Sequence, residues 1–238
     1  MSAADGQPVR TTPSRAAIGA LLRKELLLER KVPQVVPAMG LFSVTTFVIF
    51  HFGLDQRTVE GSLAAGVLSV TLLFAAMLGA NRLFVSDKEE GGFDALLLAP
   101  VDRTSLFVAK VLGFLAFLVV LEVVMLPAFA VLLLGPTPSA GEWLQLVGIL
   151  ALADLGIAVI GALVGALSIQ TRARDLILPL IALPLLVPVI ICLANGIAPL
   201  LTQEGATAVA GRWPAVLALY DLIFGLLAYA VFDFLLDD

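Results

Sequence analysis

The 238-residue sequence is poor in the side chains from which most active sites are built. It holds one cysteine (Cys192), one histidine (His51), two tryptophans and two tyrosines. A single cysteine excludes an intrachain disulfide, and a single histidine excludes a bis-histidine haem or metal site within one chain. Only 14% of the residues are charged, against roughly 25% in a soluble globular chain, which removes that class. No stretch matches G-x-x-x-x-G-K-[ST], the loop whose backbone amides and lysine cradle nucleotide phosphates. Nor is there a polar run approaching the ~100 residues of an independent catalytic domain. Any ATP hydrolysis or other soluble activity linked to this chain must belong to a partner.

What is present is apolar. Sixty per cent of the residues are hydrophobic and the mean hydropathy is +1.05. The apolar residues come in blocks of the ~20 residues that a helix needs to cross a ~30 Å hydrocarbon layer. The pattern predicts an all-α polytopic membrane protein, one transmembrane domain with six spans: residues 35–54, 61–80, 106–134, 143–169, 176–201 and 214–236. The first carries Pro37, Ser43, Thr45, Thr46 and His51, tolerable where neighbouring helices satisfy the polar groups. Pro127 in the long third block predicts a kink, or a break into a span and a short re-entrant piece. No cleavable signal peptide is expected, because the first thirty-odd residues are polar.

Orientation follows from the basic residues, not from the net charge of −5. Arg10, Arg15, Arg23, Lys24, Arg30 and Lys31 precede the first span; Arg82, Lys88, Arg103 and Lys110 fall between the second and third; Arg172 and Arg174 fall between the fourth and fifth. The alternate connections hold only Arg57 and Arg212. The positive-inside rule therefore places both termini in the cytoplasm. Residues 1–13 read as a flexible terminus, and residues 14–31 as an amphipathic interfacial helix with Ser14 available as N-cap, an anchor that sets the angle of the first span. Between spans two and three, acidic Asp87, Glu89 and Glu90 precede Gly91-Gly92, and Phe93, Leu96 and Leu97 recur at helical spacing up to Pro100. That is a short cytoplasmic helix with a negative N-terminal end and a proline stop. It fits equally a docking element for a soluble motor and a plain connecting helix.

The run from Gly66 to Lys110, with Arg82-Leu83-Phe84, Asp87, Glu90-Gly91, Asp94, Leu96, Pro100 and Ala109-Lys110, resembles haem exporter protein B, CcmB, the membrane subunit of the cytochrome c maturation ABC complex. Glu25-Leu26, Pro127, Gly161, Arg172 and the run from Leu183 to Pro188 extend the resemblance over most of the chain. Ser69, Asn81 and Phe114-Leu115 depart from it, replacing an aromatic, an acidic residue and a His-Trp pair. The resemblance implies an ABC-2 type permease of the bacterial inner membrane, acting in haem export or delivery to the periplasm for c-type cytochrome assembly. It implies two copies per complex, a separate ATP-binding subunit and further maturation membrane proteins as partners, and no nucleic acid. Asp87, Glu90, Gly91, Asp94, Leu97 and Pro100 become the expected ATPase-docking residues. Haem is the expected substrate, with no cofactor stably bound by this chain. The rival readings are an ABC-2 permease for another lipid or drug-like substrate and a non-transporting scaffold of the maturation complex.

Three carboxyls, Glu122, Asp154 and Asp221, fall inside the third, fourth and sixth blocks, where a lipid-facing charge costs roughly 2.5 kcal/mol or more. They read either as pathway or proton-relay groups, or as protonated side chains bonded to a neighbouring helix. His51, Met77 and Cys192 are residue types that can hold haem iron, although a lone histidine at a membrane boundary is more often an interfacial residue. Gly156, Gly161 and Gly165 predict close helix approach. Pro179, Pro184 and Pro188 predict a softened fifth span.

Overall fold

The computed structural model describes residues 14–54, 58–83, 103–135, 137–169, 174–202 and 209–235. Within them the chain forms α1 (Ser14–Lys31), α2 (Val35–Gly53), α3 (Gly61–Arg82), α4 (Arg103–Leu132), α5 (Ala140–Ile169), α6 (Arg174–Ile197), a 3₁₀ turn (Ala198–Leu200) and α7 (Arg212–Leu235). Among the described residues there is no strand, only an isolated bridge between Val59 and Leu134. The six helices α2–α7 are long and apolar enough to cross a membrane, and each overlaps one of the six blocks expected from the sequence.

Two helices form the centre. α3 and α5 are buried over most of their length, whereas α2, α4, α6 and α7 carry exposed apolar faces. α5 packs against α4, α6 and α7, and α3 against α2 and α6. Residues such as Leu41, Phe52, Val123, Val131, Leu180 and Leu226 form the outer apolar surface, which in a bilayer meets lipid and has no reason to be hidden. Close approach at the centre depends on missing side chains. The fully buried Phe114 ring of α4 lies between two glycines, because a Cβ at Gly79 would stand 2.8 Å from its Cε2 and one at Gly161 2.8 Å from its Cε1. α3, α4 and α5 meet around that ring.

Two of the polar residues of α2 are satisfied locally. Ser43 Oγ donates to the Met39 carbonyl and Thr46 Oγ1 to that of Phe42, so the helix's own backbone does what neighbouring helices were expected to do. Pro127 does not divide its block: α4 is one continuous 30-residue helix with Pro127 inside it. The expected re-entrant break is therefore absent, since apolar packing on both sides of the proline holds the helix across the missing hydrogen bond. Pro179, Pro184 and Pro188 likewise lie inside the continuous α6. There Tyr220 Oη donates to the Leu185 carbonyl, tying the proline-rich stretch to α7.

The two ends of the bundle are built by different means. At the end away from α1, backbone meets backbone: Val59 N–H donates to the Leu133 carbonyl and Gly61 N–H to that of Leu201. Gly61 starts α3 with φ +54°, a left-handed conformation that glycine adopts without cost. At the α1 end, side chains do the joining.

Candidate functional site

The segment 84–102 lies outside the described residues, and with it Asp87, Glu90, Gly91, Asp94, Leu97 and Pro100, the expected docking residues, as well as Arg172. The helices on either side of that segment are described, and they meet through Leu83 and Lys110. Lys110, two turns into α4, is buried, and its ammonium donates to Glu25 Oε1 of α1 at 2.6 Å and to the carbonyl of Leu83 at 3.0 Å. Leu83 is the last described residue before the segment, and α4 begins directly after it. One cation therefore joins the exit of α3, the entry of α4 and the helix α1. The lysine side chain is 3% exposed and that of Glu25 15%. A buried lysine is stable only with such partners, and removing either leaves an uncompensated charge.

Two further contacts complete the junction. A single oxygen of Glu29 accepts from the N–H groups of Gln34, Val35 and Val36, at 3.1, 2.9 and 2.9 Å. These belong to the first turn of α2, whose amides have no intrahelical acceptor and whose dipole favours a negative charge. Arg82 Nη1 donates to Gln34 Oε1 at 3.3 Å, linking the end of α3 to the start of α2. Leu22 and Glu25 of α1 rest against Gly113 of α4. α1 is thus keyed into the bundle through its acidic residues as well as its apolar face. The amphipathic pattern showed the helix; the reason for Glu25 and Glu29 within it was not visible there. The nearest signal is spacing, since Glu29 precedes the Val35-Val36-Pro37 start of α2 by one turn and a short bend.

The intramembrane acids separate into a pair and a single residue. Glu122 of α4 is 7% exposed and Asp154 of α5 0%, and the two carboxyls are neighbours across the α4–α5 contact. Among the described residues no N–H or O–H reaches Glu122 Oε1 or either oxygen of Asp154. A hydrogen bond between the two carboxyls needs a proton on one of them. Asp221 of α7 lies elsewhere: its Oδ1 is 2.5 Å from the Cβ position that Gly156 leaves vacant, and Asp154 and Gly156, two apart on α5, do not share a face. Neither Asp221 oxygen has a partner among the described residues.

A groove of about 440 Å³ opens between α4 and α5 beside the pair, lined by Val119, Glu122, Val123, Leu126, Pro127, Ala130, Trp143 and Val147. His51 is not in it. Its Nδ1 donates to the carbonyl of Leu132, the last residue of α4, so the ring satisfies a helix C-terminus. Cys192 is buried in α6, and among the described residues no group of three His, Cys, Asp or Glu side chains is disposed to hold a metal ion. A capping box, Ser139 with Glu142, starts α5: Ser139 N–H donates to Glu142 Oε2 at 2.6 Å, and Glu142 N–H to Ser139 Oγ.

Four apolar helices around two buried central ones, with a charged junction at one end, define a polytopic helical membrane protein of the permease type. A family model described as CcmB protein matches residues 16–232. The sequence is 33% identical over 196 residues to heme exporter protein B of Rhodobacter capsulatus, covering 79% of this chain and 86% of that protein. It is 32% identical over 148 residues to heme exporter protein B of Paracoccus denitrificans, covering 62% and 66%, and 30% identical over 172 residues to that of Pseudomonas aeruginosa, covering 72% and 75%. The chain belongs to the CcmB family. It is a multi-pass membrane protein, a transporter subunit by family.

Proposed function

We propose that this chain is the membrane permease of an ABC complex that exports or delivers haem to the periplasmic face of the bacterial inner membrane, for c-type cytochrome assembly. The observation that carries the reading is the similarity to the CcmB family, whose model matches residues 16–232 of this chain, and to heme exporter protein B over 79% of it. A separate ATP-binding subunit supplies the energy, two permease copies stand in each complex, and other membrane proteins of cytochrome c maturation surround them. Both termini and the α1 junction face the cytoplasm, in keeping with twelve of fourteen basic residues on that side.

In this reading the segment 84–102 docks on the ATP-binding subunit through Asp87, Glu90, Gly91, Asp94, Leu97 and Pro100. The junction beneath it supports the mechanical part. A push on a loop moves helices only if the loop ends are tied to something stiff, and Lys110 ties both ends to α1 through Leu83 and Glu25. Movement of the loop is then shared by α1, α3 and α4, and through Glu29 by α2.

The test has two arms. Expression of this chain in a bacterium lacking its own CcmB should restore covalently haem-stained c-type cytochromes, and failure while the chain is present and assembled removes the haem reading. Independently, Asp94→Ala or Pro100→Ala should weaken copurification of the ATP-binding subunit and reduce ATP turnover in the reconstituted complex. Unchanged assembly and turnover would reject the docking role alone.

A further inference from the structure

We propose that the groove between α4 and α5 is a binding site for a lipophilic organic cation, entering from the bilayer and held by Glu122 backed by Asp154. The argument begins with charge. Within the six blocks expected to span the membrane there are three carboxyls that the packing buries, Glu122, Asp154 and Asp221, and only one lysine and no arginine. That lysine, Lys110, lies at the α1 end, bonded to Glu25 and Leu83. The Glu122–Asp154 pair has no basic side chain of its own spans at hand. When the pair holds one proton it keeps one negative charge, and an intramembrane charge of this kind requires a counter-charge or a proton.

The groove beside it is built to supply that counter-charge from outside. Its volume, about 440 Å³, is in the range of small-molecule sites. Its walls are apolar apart from Glu122, a residue more than nine-tenths buried whose enclosed Oε1 has no hydrogen-bond donor among the described residues. Asp154 behind it is fully buried, with both oxygens equally free of donors. Pro127 adds a second electronegative group: lacking an N–H, it leaves the carbonyl of Val123 without the donor that a helix places four residues on. Both Val123 and Pro127 line the groove. Trp143, also in the lining, offers an indole face, the best aromatic partner for a cation. Val119, Val123 and Val147 are exposed on the outer surface of the bundle, so the groove opens sideways, toward lipid. Carboxyl, free carbonyl, indole and apolar walls together select a positive charge carried on a greasy body. They disfavour an anion, including the propionates of haem, so this site is separate from the export reading and does not rest on it.

The probe is tritiated tetraphenylphosphonium, a rigid lipophilic cation, with tetraphenylborate as its counterpart of similar shape and opposite charge. Binding is measured on the full chain in zwitterionic nanodiscs, against empty discs, without ATP or haem. Saturable binding of the phosphonium at one site per chain is expected, and none of radiolabelled tetraphenylborate assayed in separate samples, because the two ions pair when mixed. Glu122→Gln, which keeps the shape, should weaken it at least tenfold, and Ala130→Phe, which fills the groove and leaves the carboxyl, should abolish it. A bound phosphonium should also quench Trp143, read in a Trp213→Phe background. The proposal is overturned if binding does not exceed that of empty discs, if tetraphenylborate assayed alone binds as well as the cation, or if both groove variants bind like wild type while running as monodisperse folded protein. It is also overturned if binding disappears once copurifying membrane subunits are restored, which would assign the groove to a helix of a partner.

Discussion

Replacing Lys110 by methionine isolates what the α1 junction contributes. The change keeps most of the aliphatic stem and removes the ammonium, leaving Glu25 unpaired and the Leu83 carbonyl without this donor. Removing one partner of a buried ion pair costs about 3–5 kcal/mol in general. Here Glu25 is 15% exposed, so water reaches it and recovers part of its solvation, and a loss of about 2–3 kcal/mol is expected. Glu25→Met alone should be similarly costly, because it strands a cation only 3% exposed. The double variant removes both charges together and should recover at least half of the summed loss, giving a coupling energy in the ~1–3 kcal/mol range seen for contacting residues. Unfolding in mixed detergent micelles measures all four corners of the cycle. If the single variants cost less than about 0.5 kcal/mol, or if their effects simply add, the junction does not tie α1 to the loop ends. A second readout then separates stability from transmission: in the reconstituted complex the double variant should assemble with the ATP-binding subunit yet turn over ATP with weaker coupling to export.

Glu29→Ala removes the acceptor shared by three amides of α2 and should cost about 1–2 kcal/mol, the upper part of the range for capping side chains; Glu29→Gln should cost less, and hydrogen exchange at Val35 and Val36 should rise in both. Gly161→Val forces a side chain onto the Phe114 ring, which cannot retreat because Gly79 lies on its other side. A destabilisation of about 1–3 kcal/mol is expected, relieved by Phe114→Ala in the same chain, although Phe114→Ala alone should cost about 3–5 kcal/mol. His51→Ala should lower stability by about 1 kcal/mol through the lost bond to Leu132 and leave the Soret absorbance of the copurified complex unchanged. A fall in that absorbance at constant folding would make His51 a haem contact.

The spans were legible because length and hydropathy alone determine them, and the helices α2–α7 follow the six apolar blocks within a few residues. The amphipathic α1 was legible for the same reason, in a different period. What the pattern concealed were contacts between residues distant in sequence. Lys110 reads as one more basic residue on the inner side of a span, and only its meeting with Glu25, 85 positions away, turns it into a joint. The acids show the same limit: all three could be named as buried charges, but that Glu122 and Asp154 meet while Asp221 sits over Gly156 depends on helix rotation, which hydropathy does not encode. Pro127 misled because a proline removes a hydrogen bond locally, whereas the packing of α4 against α2 and α5 decides whether the helix continues. The Ser139-x-x-Glu142 box, by contrast, was readable and marks the start of α5.

The distribution of charge also constrains how haem can be handled. Haem carries two propionates, and carrying them across the membrane requires positive groups or water along the way. The spans of this chain offer the opposite: carboxyls on α4, α5 and α7, and a single lysine already engaged at the α1 end. Hydropathy alone does not say whether the intramembrane acids line a pathway. With their positions known, a route passing Glu122 and Asp154 would set the two propionates against an acidic pair with no basic side chain of its own spans beside it. Under the proposed function, haem would reach the far side along a surface shared with another subunit that provides the cations, or with its propionates kept in the interfacial layer while the macrocycle alone meets the apolar faces of the helices. Crosslinking decides between this arrangement and an internal pore. A photoreactive haem analogue should label exposed positions on the outer faces of α2, α4 or α7 in the assembled complex, and labelling at the buried faces of α3 and α5 instead would refute it.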